Sequence, residues 1–426
     1  MFGTVHVMST RRAPAIAAIA TADPSHRPRV ALYSHDAQGL GHIRRNLAIA
    51  ESLAPLGVDV LLLTGAPEAA SARRPAGVDL VAVPALAKDA EGDYAARHLG
   101  MGLEDTLRIR AEVLRAAVAS FRPDLLIVDK HPRGFRREME PALREARAHG
   151  ARTVLGLRDV LDTPDVARRE WRRDDGDAAL AEHYDETWVY GDRRVHDVAE
   201  VLGLTGTVRA TGYLAHGRVP ALGHGVPPSG APATPYVLCV LGGGSDGAEL
   251  AEAFTRASMP AGHTGVLITG PHLPEHLRRA AKSRAARRSD LRVHTWREDL
   301  VRWYAGAAAV VAMGGYNTVC EVLATDRPLL VVPRTTPRAE QLVRAEAMAA
   351  LGALEVRRPE DLTPTVLAAD LHRIVAGPPP RRRGIDLDGL ARIPDLVATL
   401  LHSATPATSV VTVAPTTLAM PEALSA

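Results

Sequence analysis

The stretch 309–341, AVVAMGGYNTVCEVLATDRPLLVVPRTTPRAEQ, leaves few folds open to the chain. Residues 309–313 are a short apolar run of the kind a buried strand needs. Gly314 and Gly315 break the run and open a helix, with Asn317 and Thr318 in its first turn. Val319, Val322 and Leu323 recur at helical spacing and give that helix an apolar face. Glu321 falls off this face and shares one side with Asn317 and Thr318. Residues 329–332 form a second buried strand, which Pro333 stops. Strand, glycine turn, helix and strand make a unit of a parallel sheet covered by helices.

The same alternation runs through the chain. Strands are expected at 29–34, 58–63, 78–83, 125–129, 153–157, 187–190 and 208–210, with helices from His42 to Gly57, at 103–120 and at 136–149. The Pro/Gly-rich stretch 216–235 has no periodicity and marks a boundary. Beyond it, strands are expected at 236–241, 265–269, 291–294, 309–313 and 329–332, with helices at 248–257, 274–287, 299–304, 317–324 and 338–351. The fold class is α/β, with two Rossmann-like, doubly wound parallel-sheet domains. A length of 426 residues suits two such cores. The expected division is a disordered extension 1–28, a first domain 29–215, a linker 216–235, a second domain 236–376, a Pro/Arg-rich break with a crossing helix 377–402, and a disordered tail 403–426.

Composition removes several function classes. A net charge of +2 makes no case for nucleic-acid binding. Cys239 and Cys320 both fall in core segments, without disulfide or zinc spacing, so a reducing cytoplasmic setting is expected. No apolar run reaches the roughly 18 residues of a membrane span. Arg11-Arg12 before the Ala-rich run 13–22 has the order of an export signal, but the run is weak. The arginine runs at 278–288 and 381–383 read as solvated faces, with contact to an anionic membrane surface as the alternative.

Three glycine-bearing loops carry the chemistry. Gly314 and Gly315 let the backbone approach a ligand, and the free N–H groups of a helix start attract phosphate. Glu321, one turn on, is placed to accept hydrogen bonds from a ribose diol, which makes this a nucleoside diphosphate site. The alternative is an ordinary turn with a surface glutamate. Gly242-Gly243-Gly244-Ser245-Asp246-Gly247 follows the first strand of the second domain and reads as a phosphate or sugar-nucleotide loop. It is not a Walker A loop, since it lacks GK[ST]. Gln38-Gly39-Leu40-Gly41-His42 ends the first strand, where open α/β sheets bind ligands, and the His42 imidazole can take a proton from an acceptor hydroxyl. A histidine that only lines a loop is the alternative. As a dinucleotide fingerprint this loop fails, because Arg44 stands at the third glycine and Thr64-Gly65 follows the second strand. Asp129-Lys130-His131 and Arg158-Asp159 end two further strands, where Asp129 and Asp159 serve as bases or orienters beside His42, or else make local turns. Trp296 is either a stacking face for a base or a core residue. Asp175/Asp177 and Asp386/Asp388 have Asp-x-Asp spacing but follow no core strand, so no metal is expected there.

The runs GGYNTVCE, PLLVVP and EQ resemble the donor-binding half of GT-B glycosyltransferases. The resemblance is to the family 28 type that includes the lipid II-forming N-acetylglucosaminyltransferase and uncharacterised relatives. It implies a GT-B fold whose two domains face a cleft. It assigns Gly315 and Thr318 to a diphosphate, Glu321 to ribose, Glu340 and Gln341 to the donor sugar, Gly314 and Asn317 to the same donor-binding loop, Gly243, Gly244 and Ser245 to the flank of the donor, and Trp296 to the base. On the acceptor side it implies Gln38, Gly39 and Gly41, with Arg158 and a catalytic His42 assisted by Asp129. The implied activity is inverting, metal-independent transfer of a hexose from a nucleoside diphosphate sugar, UDP-sugar first, to a small or lipid-linked acceptor, with no resident cofactor. The loop 334–338 is more basic than the family pattern. A sugar-nucleotide 2-epimerase of the same fold and a non-catalytic nucleotide-sugar-binding module remain alternatives.

Overall fold

The computed structural model describes residues 27–35, 41–88, 93–218, 228–297, 299–378 and 384–402. The expected linker stretch 219–227, the extension 1–26 and the tail 403–426 lie outside these, as do Gln38 and Gly39.

Seven parallel strands make the first sheet: β1 Arg29–Ser34, β2 Asp59–Thr64, β3 Val78–Ala82, β4 Leu125–Asp129, β5 Arg152–Arg158, β6 Glu186–Tyr190 and β7 Val208–Ala210. Their order is β3-β2-β1-β4-β5-β6-β7. Six parallel strands make the second: β8 Tyr236–Val240, β9 Thr264–Ile268, β10 Leu291–His294, β11 Ala309–Ala312, β12 Leu329–Val331 and β13 Glu355–Val356, in the order β10-β9-β8-β11-β12-β13. Strands β4, β6, β8 and β11 are buried at every residue, as in a sheet covered on both faces. In each sheet the winding reverses between the first and fourth strands, β1/β4 and β8/β11. Ligands bind at that point, beyond the carboxyl ends.

The helices that shape this region are α1 Gly41–Leu53, α2 Leu103–Phe121, α3 Glu140–Ala148, α4 Pro164–Arg173, α5 Gly176–His183 and α6 Val198–Leu202 in the first domain. The second domain adds α7 Ala248–Arg256, α8 Glu275–Ala286, α9 Leu300–Gly306, α10 Tyr316–Leu323, α11 Glu340–Ala350 and α12 Pro364–Ala376, followed by α13 Gly389–His402. Helix α13 returns to the first domain and packs on α1. It is tied there by Tyr213 N–H to Asp386 O at 2.8 Å and Gly389 N–H to Tyr213 O at 3.0 Å.

Four helices, α4, α5, α6 and α12, were not expected. α4 is too polar to show an apolar stripe; only Ala167 and Trp171 are buried. α3 starts later than expected because Arg136 and Arg137 adopt positive φ, 46° and 69°. None of the helices among the described residues is long and apolar enough to cross a membrane.

Candidate active site

The second domain supplies a glycine cradle. Gly244 has φ +95°, and a Cβ there would lie 2.2 Å from Thr269 O. A Cβ on Gly270 would lie 2.3 Å from Gly242 O, so the turns after β8 and β9 pack backbone on backbone. Gly314 has φ +90° and touches Val331. Gly315 is different: its φ is −59°, and a Cβ would meet nothing within 4 Å. The chain does not need glycine there for packing, and open space lies before the first turn of α10. A cavity of about 140 Å³ runs from Gly242, Gly243, Gly244, Ser245 and Asp246 to Gly315, Thr318 and Gln341. This brings together two of the three loops singled out above.

Glu321 departs from expectation. Every residue of α10 is buried, so Glu321 does not face solvent. Its Oε1 accepts from Arg44 Nη2 at 2.5 Å and from Arg218 Nη1 at 3.4 Å. Its Oε2 is buried without a hydrogen-bond partner, as is Asn317 Oδ1. Asn317 Nδ2 donates to Gly41 O at 2.9 Å, linking the start of α10 to the start of α1. Glu340 is buried too, and its Oε1 takes Arg334 Nη2 at 2.6 Å while Oε2 is unpartnered. Gln341 Oε1 accepts from Arg334 N at 3.1 Å. Arg334 of the basic loop noted in the sequence is thus neutralised by acidic residues of its own site, with Asp246 also on it at 3.0 Å, while Arg338 pairs with Asp162 and Glu170 of the first domain. Trp296 is 56% exposed and lies outside the cavity lining.

In the first domain, His42 Nδ1 is 2.7 Å from Asp129 Oδ2. Burial alone would raise the Asp129 carboxyl, but Arg45 and then His42 hold it well below the usual range, so it is ionised. An ionised Asp129 accepts a hydrogen bond from Nδ1–H, which fixes the ring orientation and leaves Nε2 as the other ring nitrogen. Arg45, three residues after His42 on the same helix face, places Nη2 2.6 Å from Asp129 Oδ1. Lys130, at φ 71°, has no hydrogen bond from its amine to any described residue, and burial followed by Arg158 and Arg338 lowers it to about 8. Burial brings His131 to about 4 and His35 well below its ordinary value, so both are neutral beside His42.

Asp159 is neither base nor orienter. Arg344 of α11 grips it from the second domain, Nε to Oδ2 and Nη2 to Oδ1, each at 2.7 Å, and Tyr213 OH donates to Oδ2 at 2.7 Å. Arg158 turns Nη2 to Leu161 O at 3.2 Å and leaves Nε buried and unpartnered. The two Asp-x-Asp matches are structural: Asp177 accepts from Trp171 Nε1, and Asp386 pairs with Arg392. No group of acidic, histidine or cysteine residues among those described could hold a metal ion.

Residues 237–383 match the glycosyltransferase family 28 C-terminal domain. That match covers about a third of the chain. Two curated relatives agree, both named UDP-N-acetylglucosamine--N-acetylmuramyl-(pentapeptide) pyrophosphoryl-undecaprenol N-acetylglucosamine transferase. That of Corynebacterium efficiens is 37% identical over 81 residues, covering 19% of this chain and 22% of the relative. That of Mycobacterium ulcerans is 29% identical over 147 residues, covering 34% and 36%. The chain therefore spans between a fifth and two fifths of the lengths of these relatives. Solved structures show the GT-B fold across both domains. Acinetobacter baumannii MurG superposes with TM-score 0.53 at 14% identity, covering 88% of this chain and 100% of MurG. The calicheamicin glycosyltransferase CalG4 gives 0.54 at 18%, covering 88% and 95%. The glycosyltransferase VinC, solved with dTDP, gives 0.55 at 18%, with the same coverage. The residues that sequence reading missed are Arg44, Arg45, Arg218 and Arg344. The first two had a signal, as adjacent arginines one turn into the helix that His42 opens.

Proposed function

We propose that this chain is a glycosyltransferase that moves a hexose-type sugar from a nucleoside diphosphate sugar to an acceptor hydroxyl, with inversion. The observation that carries the reading is the Asn317–Gly41 bond, which sets the mouth of the family 28 domain against the helix bearing His42. In this reading the N–H groups of Gly243, Gly244 and Gly315, with Ser245 and Thr318, hold the diphosphate. Glu321 and Asn317, each with an unpartnered buried oxygen, take the ribose hydroxyls, and Glu340 and Gln341 take the sugar. Trp296 stands by the base. His42 Nε2 removes the acceptor proton while the acceptor oxygen attacks the anomeric carbon. The bond from that carbon to the diphosphate oxygen breaks, and the charge passes to the glycine loops and the start of α10. This chemistry uses residues of the chain alone, without a metal ion or resident cofactor. Gly41, Arg158 and the unpaired Lys130 lie on the acceptor side, as do Gln38 and Gly39 in the sequence, and the acceptor is a small molecule or a lipid-linked one. The names of the curated relatives and the dTDP complex support a UDP- or dTDP-sugar.

A thermal-shift panel of UDP, dTDP, GDP, ADP, CDP and NAD on the wild type and Glu321→Ala tests this. A ligand at about 100 times its Kd adds roughly 2.7 kcal/mol. Stabilisation by one diphosphate, lost in Glu321→Ala, is expected. Stabilisation by NAD alone, or by none, overturns the donor site. Donor consumed without any acceptor would point to a 2-epimerase instead.

A further inference from the structure

Arg45 is a buried cation at the first-domain side of the cleft. Its side chain is 2% exposed, and Nη2 lies against both oxygens of Asp129 and 3.0 Å from His42 Nδ1. Its guanidinium carbon is 5.8 Å from the Tyr190 ring centroid and 5.5 Å from that of Tyr316. Tyr190 ends β6 in the first domain, while Tyr316 is the first residue of α10, the donor helix. One planar cation is therefore stacked between the two domains and hydrogen-bonded to the carboxylate that orients the base.

We propose that Arg45 is a positioning residue for transfer: its guanidinium keeps His42 in the neutral form and ties the alignment of His42 to the seating of the donor helix. The inference rests on His42 as the base. Asp129 carries one negative charge and faces two partners. With Arg45 present, the pair Arg45–Asp129 is already neutral, and an imidazolium at His42 would add an uncompensated charge in a buried place. Without Arg45, His42 would be the one close cation partner left to Asp129 among the described residues, and protonation of His42 would be favoured. Among the described residues, the other groups facing His42 do not change this sign. His35, with its ring 4.7 Å away, and His131 are neutral, and Lys130 is cationic like Arg45. Asp174 is spent on His131 at 3.2 Å, and Arg44 on Glu321.

Arg45→Gln and Arg45→Lys test this in the full chain, with His42→Ala alongside. The readouts are the pH profile of kcat/KM and the titration of the His42 ring followed by NMR. Arg45→Gln is expected to move both the acid limb and the ring titration upward by about one to two pH units. Arg45→Lys keeps the charge but not the planar fork or the stacking. Its acid limb is expected to stay within half a unit of wild type while kcat falls about tenfold and donor KM is unchanged. Where Arg45→Gln does not fold, the lysine variant carries the test. A His42 titration unmoved in Arg45→Gln, or wild-type kcat in Arg45→Lys, overturns the proposal, while His42→Ala still inactivates the enzyme. Full activity in His42→Ala is the separate result that removes the base itself.

Discussion

Replacing Asp159 by asparagine separates a structural carboxylate from a catalytic one. Asp159 and Arg344 are 0% and 1% exposed, and the pair makes two hydrogen bonds of 2.7 Å between the domains. Burial would raise the Asp159 carboxyl, but Arg344 and the Tyr213 hydroxyl hold it below its ordinary value, so the pair is ionic. In Asp159→Asn the guanidinium of Arg344 stays buried, with Gly314 O at 3.2 Å as its remaining strong acceptor. Removing one partner of a buried pair costs about 3–5 kcal/mol. At roughly 2–4 °C per kcal/mol for a domain of this size, the melting temperature should fall by about 10 °C. Arg344→Met in the same background should recover a good part of that loss, because no lone charge is left behind. Scanning calorimetry reads the stability, and initial transfer rates at 25 °C read the chemistry. Asp159→Asn should keep a transfer rate within a few-fold of wild type while Asp129→Asn loses at least a hundredfold. A melting shift below about 2 °C, or a transfer loss equal to that of Asp129→Asn, would refute the assignment.

Two glycines of the cradle should behave in opposite ways. Gly315→Ala places a methyl in open space at an ordinary φ, so the melting temperature should stay within about 1 °C while stabilisation by nucleoside diphosphate is lost. Gly244→Ala meets a carbonyl at 2.2 Å with φ +95°, so it should lower the melting temperature or the soluble yield outright, read by circular dichroism. Stability should also fall on acidification. His131 binds its proton only near pH 4 in the folded chain but near its ordinary 6.5 in the unfolded one. Its share of stability is therefore complete above about pH 6.5 and lost as the pH falls toward 4, by roughly 3 kcal/mol. His131→Gln should flatten denaturation midpoints over that window, and an unchanged slope would refute the assignment.

The sheets were legible because buried parallel strands are near-continuous apolar runs, as at Leu125–Asp129, and even the half-buried edge strands Leu291–His294 and Val208–Ala210 begin and end where the residue pattern says. β13 was missed because it is a two-residue edge, Glu355–Val356, with no run to see. The glycine loops were legible as well, since sequence order alone puts them at the carboxyl ends of β1, β8 and β11. Charge partners were not. Glu321 reads as an exposed side chain by spacing along α10, yet it is buried because the first domain covers that face with Arg44 and Arg218. Asp129 and Asp159 look alike in sequence, each at a strand end beside a cation. What separates them is distance in space: Asp129 meets His42 and Arg45 of its own domain, and Asp159 meets Arg344, 185 positions away.

The ties between the domains also say where the cleft opens. A drug-sized ligand fills about 300–1,000 Å³, and the cavity beside Gly315 holds about 140 Å³. A diphosphate fits that space, whose walls are all second-domain residues, and the rest of a nucleotide sugar would lie outside it toward the first domain, where the ties between the domains would have to yield. The ties are unequal. Arg44, which covers the buried Glu321, is itself 37% exposed on its side chain, so water can take its place more readily than at a sealed pair. Arg338, which reaches Asp162 and Glu170, is 33% exposed. Asp159–Arg344 is sealed, and the apolar core continues past it through Tyr213 and Tyr316, whose rings are 5.9 Å apart. The weaker tie lies at Glu321 of α10 and the stronger one beside α11. Opening should therefore pivot about Asp159–Arg344 and break Arg44–Glu321 first, freeing Glu321 Oε1 for a ribose hydroxyl as the donor enters. Arg45 moves apart from Tyr316 in the same motion, so the base is aligned only when the donor helix closes again.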